Sequence, residues 1–243
     1  QYQIGSTQTQ EKEILGANNK QELGDLYRAL VALNIASAKR KGAIFKDEST
    51  CYVEGPLKVG QDVKIGNNVT IKGKVTLGNN VSIGSNTVLF NTNIGDETII
   101  KEFCSVENST IAKNAEVGPF ARLRDGAILS NKTKIGNFVE IKKSTIGAGT
   151  KANHHAYLGD ATVGKKTNVG AGTITCNYDG KEKHKTIIED ESFIGTNSSL
   201  VAPIKIGKRS YVAAGSVITS DVPSDSLAFG RSRQKTKKHR KKK

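Results

Sequence analysis

The stretch KANHHAYLGD, residues 151 to 160, sets His154 and His155 side by side, half of the histidines in the chain. An imidazole ordinarily titrates at about 6.5, so it can take a proton from an amine nucleophile or ligate a metal. A second kind of chemistry lies upstream, where PFARLRDG (119–126) and NFVEIKKS (137–144) carry Arg122, Arg124, Glu140, Lys142 and Lys143. Arginine offers forked donors and lysine a point charge, so the group suits a phosphate; standing alone it would equally be ordinary surface charge. A third segment, TCNYDGKEKHKT (175–186), holds Cys176. A thiol there suggests an acyl-enzyme, but nothing near it in sequence supplies a base, and direct attack is the simpler route. Which of these residues meet depends on the elements that carry them.

Those elements are repeats. From Val59 the chain falls into sixes: VGQDVK, IGNNVT, IKGKVT, LGNNVS and IGSNTV, then VGPFAR, IGNFVE, IGAGTK, VGKKTN, VGAGTI, IGTNSS, IGKRSY and VAAGSV. The first residue is aliphatic, the second usually glycine, the fifth small or β-branched. Val63-Lys64-Ile65 and Val81-Ser82-Ile83 alternate apolar and polar, the signature of a very short strand with one buried face. Gly66-Asn67-Asn68 and Gly78-Asn79-Asn80 between them are residue types that accept the left-handed conformation of a tight corner. Six-residue units of this kind stack into a parallel β-helix that buries its aliphatic ladder coil against coil. The period does not give the handedness.

The register places the histidines. With the sextet starting at Ala152, the inward positions are Ala152 and Ala156, and Asn153, His154 and His155 fall on the outward corner. A buried core histidine is thereby disfavoured; a solvated surface pair and a functional base both remain. The 175–186 segment cannot fit a six-residue corner and must project as a loop, a common place for function on a rigid solenoid.

Around the repeats, residues 18–42 show Leu23, Leu26, Tyr27, Leu30, Val31 and Leu33 near helical spacing, with Gly42 as a stop. They predict one amphipathic linker helix whose apolar stripe packs on a neighbour. The repeats end near Val222, giving an expected division into 1–47, 48–222 and a basic tail at 223–243. The formal charge is +14, but nine Lys or Arg lie within residues 231–243; fourteen less those nine leaves +5. A terminal run with no interleaved aromatics reads as a solvated tail, not a specific nucleic-acid site. No apolar run is long enough to span a membrane and residues 1–10 do not read as a signal peptide, so a cytoplasmic location is expected. Cys51, Cys104 and Cys176, odd in number and widely spaced, suit reduced thiols. The chain opens on Gln1 and contains no methionine, so it reads as part of a longer protein.

In order and spacing, PFARLR, GNFVE-KK, KA-H--YLGDA, GAGTITCNYDG, KTII and LVAP resemble the acetyltransferase half of the bifunctional bacterial N-acetylglucosamine-1-phosphate uridylyltransferase/glucosamine-1-phosphate N-acetyltransferase family, from about Asn18 to Ala228. The resemblance implies an all-β, left-handed parallel β-helix preceded by one helix. It further implies a homotrimer with active sites between subunits, which moves an acetyl group from acetyl-coenzyme A to the amine of glucosamine 1-phosphate. On it, His154 is the general base and Glu140 the group that orients it. Arg124 and Lys142 bind the sugar phosphate, Tyr157 and Asn168 the sugar. Ala171, Asn177, Tyr178, Thr196, Ala214 and Arg231 contact acetyl-coenzyme A. Two positions depart from the family pattern: His155 stands where an apolar residue is expected and reads as a bystander, and Thr196 replaces a serine while keeping a hydroxyl.

The family's uridylyltransferase activity needs an N-terminal domain with a GTR-type glycine-rich loop, which this sequence lacks. Uridylyl transfer is therefore not expected of the chain, and magnesium belongs to that other half. The tetrahedral intermediate needs an oxyanion donor, either a backbone amide or Asn177. Arg231 and the tail are expected to meet the anionic cofactor, so removing residues 223–243 should raise the KM for acetyl-coenzyme A. Three rivals share the scaffold. Another hexapeptide acyltransferase would have no reason to keep GAGTITCNYDG with Arg124 and Lys142. A γ-type carbonic anhydrase needs three converging zinc histidines. A purely structural solenoid would not need the loop.

Overall fold

A computed structural model describes residues 16–237 together with Gly5 and Gln8. The rest of residues 1–15, expected to be an N-terminal remnant, and the basic run 238–243 lie outside the described residues. The hexads wind into a left-handed parallel β-helix of about ten coils. Its three flat faces are an eleven-stranded sheet running from Ala43–Phe45 to Leu227–Ala228, a ten-stranded sheet from Tyr52–Glu54 to Val217–Ile218, and a nine-stranded sheet from Leu57–Val59 to Ile204–Ile206. They are called faces A, B and C below. Strand pairing thus begins at Ala43, ahead of the first hexad at Val59, and continues to Ala228, beyond Val222.

Alternation does the building. On face B, Val53, Ile71, Leu89, Val106, Leu123, Ile141, Leu158 and Leu200 stack inward with no exposed surface to speak of, each worth about 1.5–3 kcal/mol of burial. Their neighbours on either side point outward on every coil, which makes the face a lattice of addressable positions.

The corners separate two roles that the sequence reading had merged. The left-handed residue is the last of each triplet: Asn68 has φ 54° and Asn80 φ 55°. The glycine two places earlier is needed for room instead. A Cβ on Gly66 would stand 2.7 Å from the Ser85 amide nitrogen, and one on Gly78 would stand 2.7 Å from that of Asp96.

One α-helix among the described residues, α1 (Lys20–Arg40), precedes the coils. Asn19 caps it by accepting the Glu22 amide at 2.9 Å, and the turn after it closes at Gly42, φ 109°. Its packing departs from the expected stripe. Ile35 and Ala38 are buried, with Val31 partly so, while Leu23, Tyr27, Leu30 and Leu33 stay exposed, because only the C-terminal half of α1 lies over the first coils. Among the described residues, no helix is long and apolar enough to cross a membrane.

Candidate active site

Face B carries the charged group. Strand Arg122–Arg124 pairs with Glu140–Lys142 and that with Tyr157–Gly159, so Arg122, Glu140 and Tyr157 form one outward row, and Arg124, Lys142 and Gly159 a second. Arg124 donates from Nε to Glu140 Oε1 at 2.6 Å and from Nη1 to Asp125 Oδ2 at 3.1 Å; Lys142 Nζ lies 3.8 Å from the same Asp125 oxygen. The glycine at 159 matters here. A Cβ on it would lie 2.4 Å from the Tyr157 hydroxyl oxygen and 2.6 Å from the ring carbon that bears it, so the phenol occupies the place a side chain at 159 would take.

The projecting loop completes this group. Tyr178 and Lys183 form an antiparallel bridge, and Asp179 inside the loop accepts the backbone amides of Lys181 and Glu182 and the ring Nε2–H of His184 at 2.7 Å. His184 first, and the two amides after it, hold the Asp179 carboxyl far below the ordinary carboxylate range. Folded this way, the loop brings Lys183 against Lys142. Lys183 is the main reason the Lys142 ammonium is pushed below the ordinary lysine value, followed by burial and the nearby Arg124. Three cations therefore crowd one patch, with Asp125 and Glu140 paired to them.

His154 stands on the corner between faces A and B. Ala152 and Ala156 are buried and residues 153–155 exposed, as the register requires. The backbone ladder stacks residues of this corner one coil at a time: Asn137 lies beneath His154, and Ala171, Thr196 and Ala214 follow above it. Arg231 comes next, over Gly215. At about 4.8 Å per coil, the three steps from His154 to Ala214 cover roughly 15 Å. Small side chains thus leave a shallow lane above the imidazole, on the scale of an extended pantetheine arm. A cavity of about 200 Å³ opens below and beside it, lined by Lys101, Glu116, Lys134, Asn137, Asn153 and His154 among others.

The imidazole Nδ1 lies 2.8 Å from Asn137 Oδ1. This differs from the expected contact with Glu140, and the reason is register. Residue 137 is the coil partner of 154, whereas Glu140 has turned the corner onto face B, pairs with Tyr157 and is engaged by Arg124. His155 points along the adjacent column and stacks on Phe138 at 4.9 Å, continuing a ladder of Phe103, Phe120 and Phe138.

Of the residues named from sequence, Arg124, Glu140, Lys142 and Tyr157 come together on face B, His154, Ala171, Thr196 and Ala214 align on the corner, and Arg231 stands in the adjacent column, over Gly215. Asn168 does not join the first group: it sits on face A, between Lys151 and Phe193. Asn177 is buried and donates its side-chain amide to Asp160, while Tyr178 is exposed with its hydroxyl on the Gly180 carbonyl. Sequence reasoning missed Asn137, Gly159 and Lys183. The coil period of 17 residues would have found the first; the other two depend on a ring orientation and a loop path that no repeat encodes.

By its fold, this is a hexapeptide-repeat β-helix. Residues 40–141 match the family model described as EIF2B subunit epsilon LbH domain, and residues 185–220 match that described as hexapeptide repeat of succinyl-transferase. Among solved structures, the Arabidopsis UDP-N-acetylglucosamine acyltransferase superposes with a TM-score of 0.63 at 20% identity, over 78% of this chain and 70% of that one. The Francisella novicida UDP-N-acetylglucosamine acyltransferase gives 0.58 at 18%, over 76% and 66%. At these identities the likeness is one of fold.

The nearer kinship is with the bifunctional protein GlmU. The chain is 48% identical over 222 residues to GlmU of Acinetobacter baylyi and 50% identical over 226 residues to that of Thermotoga maritima, covering 91% and 93% of this chain. It is a homologue of part of the GlmU proteins, spanning about half the length of the curated relatives it matches.

Proposed function

We propose that the chain is the acetyltransferase portion of a GlmU-type protein. It moves the acetyl group of acetyl-coenzyme A to the amine of glucosamine 1-phosphate, giving N-acetylglucosamine 1-phosphate for UDP-N-acetylglucosamine and cell-wall synthesis in the cytoplasm. The observation that carries this reading is the placement of one exposed imidazole between a cationic patch on face B and a lane of small residues rising along the corner.

In this mechanism Arg124, Lys142 and Lys183 hold the sugar phosphate, relieving the repulsion among the three cations. Tyr157 and Asn168 bind the sugar. The thioester arm lies in the lane past Ala171, Thr196 and Ala214, with Arg231 toward its phosphates. The amine attacks the thioester carbonyl; the new C–N bond forms, His154 Nε2 accepts the amine proton, the C–S bond breaks and the proton passes to the departing thiolate. Asn177 has one amide hydrogen given to Asp160, and its second can serve the oxyanion. Because Asn168 and the phosphate group lie on different faces of one coil stack, a second copy supplies whichever face is lacking, which supports a homotrimer with sites between subunits.

The test is thiol release from acetyl-coenzyme A with glucosamine 1-phosphate, glucosamine or serine as acceptor. Release confined to the phosphorylated sugar, lowered by roughly 10²- to 10⁴-fold in His154→Ala and little changed in His155→Ala, is the expected result. No release with any acceptor from a folded protein would overturn the reading. Truncation to test the tail should begin after Gly230, since Leu227–Ala228 is a paired strand of face A.

A further inference from the structure

We infer that Asn137 is the positioning residue of His154, fixing the imidazole as its Nδ1–H tautomer so that Nε2 is the free nitrogen. The inference rests on the proposed acetyl transfer and adds to it a group that touches neither substrate.

Three observations converge. Asn137 and His154 are register partners on adjacent coils of the same corner, so the backbone ladder itself holds the two side chains one above the other. The contact is 2.8 Å from Nδ1 to Oδ1; with the amide oxygen turned to the ring, as it is here, the imidazole is the donor and its proton belongs on Nδ1. The carboxylate that would otherwise do this work, Glu140, is occupied by Arg124 around the corner. A neutral amide in place of a carboxylate has a consequence. It orients the ring and selects the tautomer without adding a negative charge beside it, leaving Nε2 free to accept a proton. The backbone at 137 is held independently of its side chain, because the His155 amide donates to the Asn137 carbonyl at 3.0 Å. Exchanging the side chain should therefore leave the corner in place.

The experiment uses the full chain labelled with ¹⁵N-histidine, recording the ring nitrogens at a pH where the imidazoles are neutral. The His154 signals are assigned by their loss in His154→Ala. The wild type is expected to show a protonated Nδ1 and a bare Nε2. Asn137→Leu, similar in size but without an acceptor, is expected to shift the population to the Nε2–H form, lower kcat about tenfold and leave both KM values unchanged. Asn137→Asp, which can only accept, should restore the Nδ1–H signature and bring kcat back to within about threefold of the wild type. Asn153→Ala serves as a control: it lines the same cavity, and both spectrum and kcat should stay as in the wild type.

A wild-type spectrum of the Nε2–H form, or a spectrum unmoved by Asn137→Leu, overturns the inference. So does a kcat that falls equally in the Leu and Asp variants. The ring spectrum needs no turnover, so a protein with no acetyl transfer but with the Nδ1–H signature defeats the proposed function and leaves the Asn137 pairing standing.

Discussion

The lower coils and the middle coils obey the same register but fill it differently. Up to Asn114, the non-glycine corner positions with positive φ are almost all Asn or Asp: Asp62, Asn68, Asn80, Asn86, Asn91, Asn108 and Asn114, with Glu97 and Phe103 as exceptions. From Phe120 to Lys166 they are Phe120, Asp125, Lys132, Phe138, Lys143, His155, Asp160 and Lys166. Asn and Asp tolerate the left-handed region, whereas the other types give up about 1 kcal/mol or more there. Below, the residue is chosen for the backbone; in the middle, it is chosen despite the backbone. The same coils hold the phosphate patch and His154, and the loop from the next coil folds back toward them. A solenoid whose stability is a sum over coils can concentrate such local costs in a few of them while the rest hold the geometry.

The largest effect should come from the inward ladder, and it should not distinguish the two regions. Ile71→Ala in the lower coils and Ile141→Ala in the middle both empty a fully buried site on face B, and each should cost about 2–5 kcal/mol in urea unfolding. Activity should separate them. Ile141 lies between Glu140 and Lys142, so its loss should also lower kcat/KM well below the melting transition, while Ile71→Ala should turn over normally. Equal losses of activity would mean the coils are not independent.

A second comparison uses one row of face B. Lys72 occupies the same outward row as Lys142, several coils lower, with its ammonium 5.7 Å from the Tyr52 ring centre. Lys142→Ala and Lys183→Ala are each expected to raise the KM for glucosamine 1-phosphate about 10- to 100-fold, as lost charge-assisted phosphate contacts should, with kcat little changed. Lys72→Ala should leave it alone. A KM equally insensitive to Lys183→Ala would remove the loop lysine from the phosphate site.

The depressed titration of Lys142 sharpens the same point. In the free protein Lys183, burial and Arg124 disfavour its charged form; a bound phosphate dianion favours it. Lys142 should therefore lose its proton at a lower pH before the sugar phosphate binds than after. The KM should rise with pH from below the ordinary lysine value of 10.5 upward, and Lys183→Ala should move that rise to higher pH. A KM that is flat across that range in the wild type would mean that Lys142 does not bear on the phosphate.

Much of the fold was written plainly in the residues. Period-two triplets and glycine-led corners specified a parallel β-helix, and the coil register put His154 outward and Ala152 and Ala156 inward. The handedness was not in the period and came from the resemblance alone. Counting put Arg122, Arg124, Glu140, Lys142 and Lys143 at outward positions on nearby coils; the choice of Arg124 and Lys142 among them, and Tyr157 altogether, came from the resemblance. What escaped was whatever depends on a contact across coils or beyond the repeat. Asn137 was hidden because the resemblance implied a carboxylate partner, Glu140, while register supplied an amide. Gly159 carried no motif; its meaning is the ring that lies where its side chain would be. The helix stripe misled because Leu23, Leu30 and Leu33 mark an apolar face without saying what covers it.

The smallest effect concerns the aromatic column itself. Phe103, Phe120, Phe138 and His155 stack at 4.8, 5.3 and 4.9 Å while remaining about half exposed, in positions where the coils below place Asn68 and Asn86. Phe103 ends the ladder and touches one ring. Replacing it with asparagine loses one stack, worth about 0.5–1.5 kcal/mol, and relieves a left-handed phenylalanine, worth about 1–2. These nearly cancel, so Phe103→Asn should melt within a few degrees of the wild type and turn over at the same rate. Phe138→Asn loses contacts on both sides, including His155 next to the base, and should be the less stable of the two. If Phe103→Asn is instead strongly destabilised, the ladder is a stabilising element of the middle coils in its own right. The contrast would then be between two ways of holding a corner, one by an amide suited to the backbone and one by a stack that overrides it.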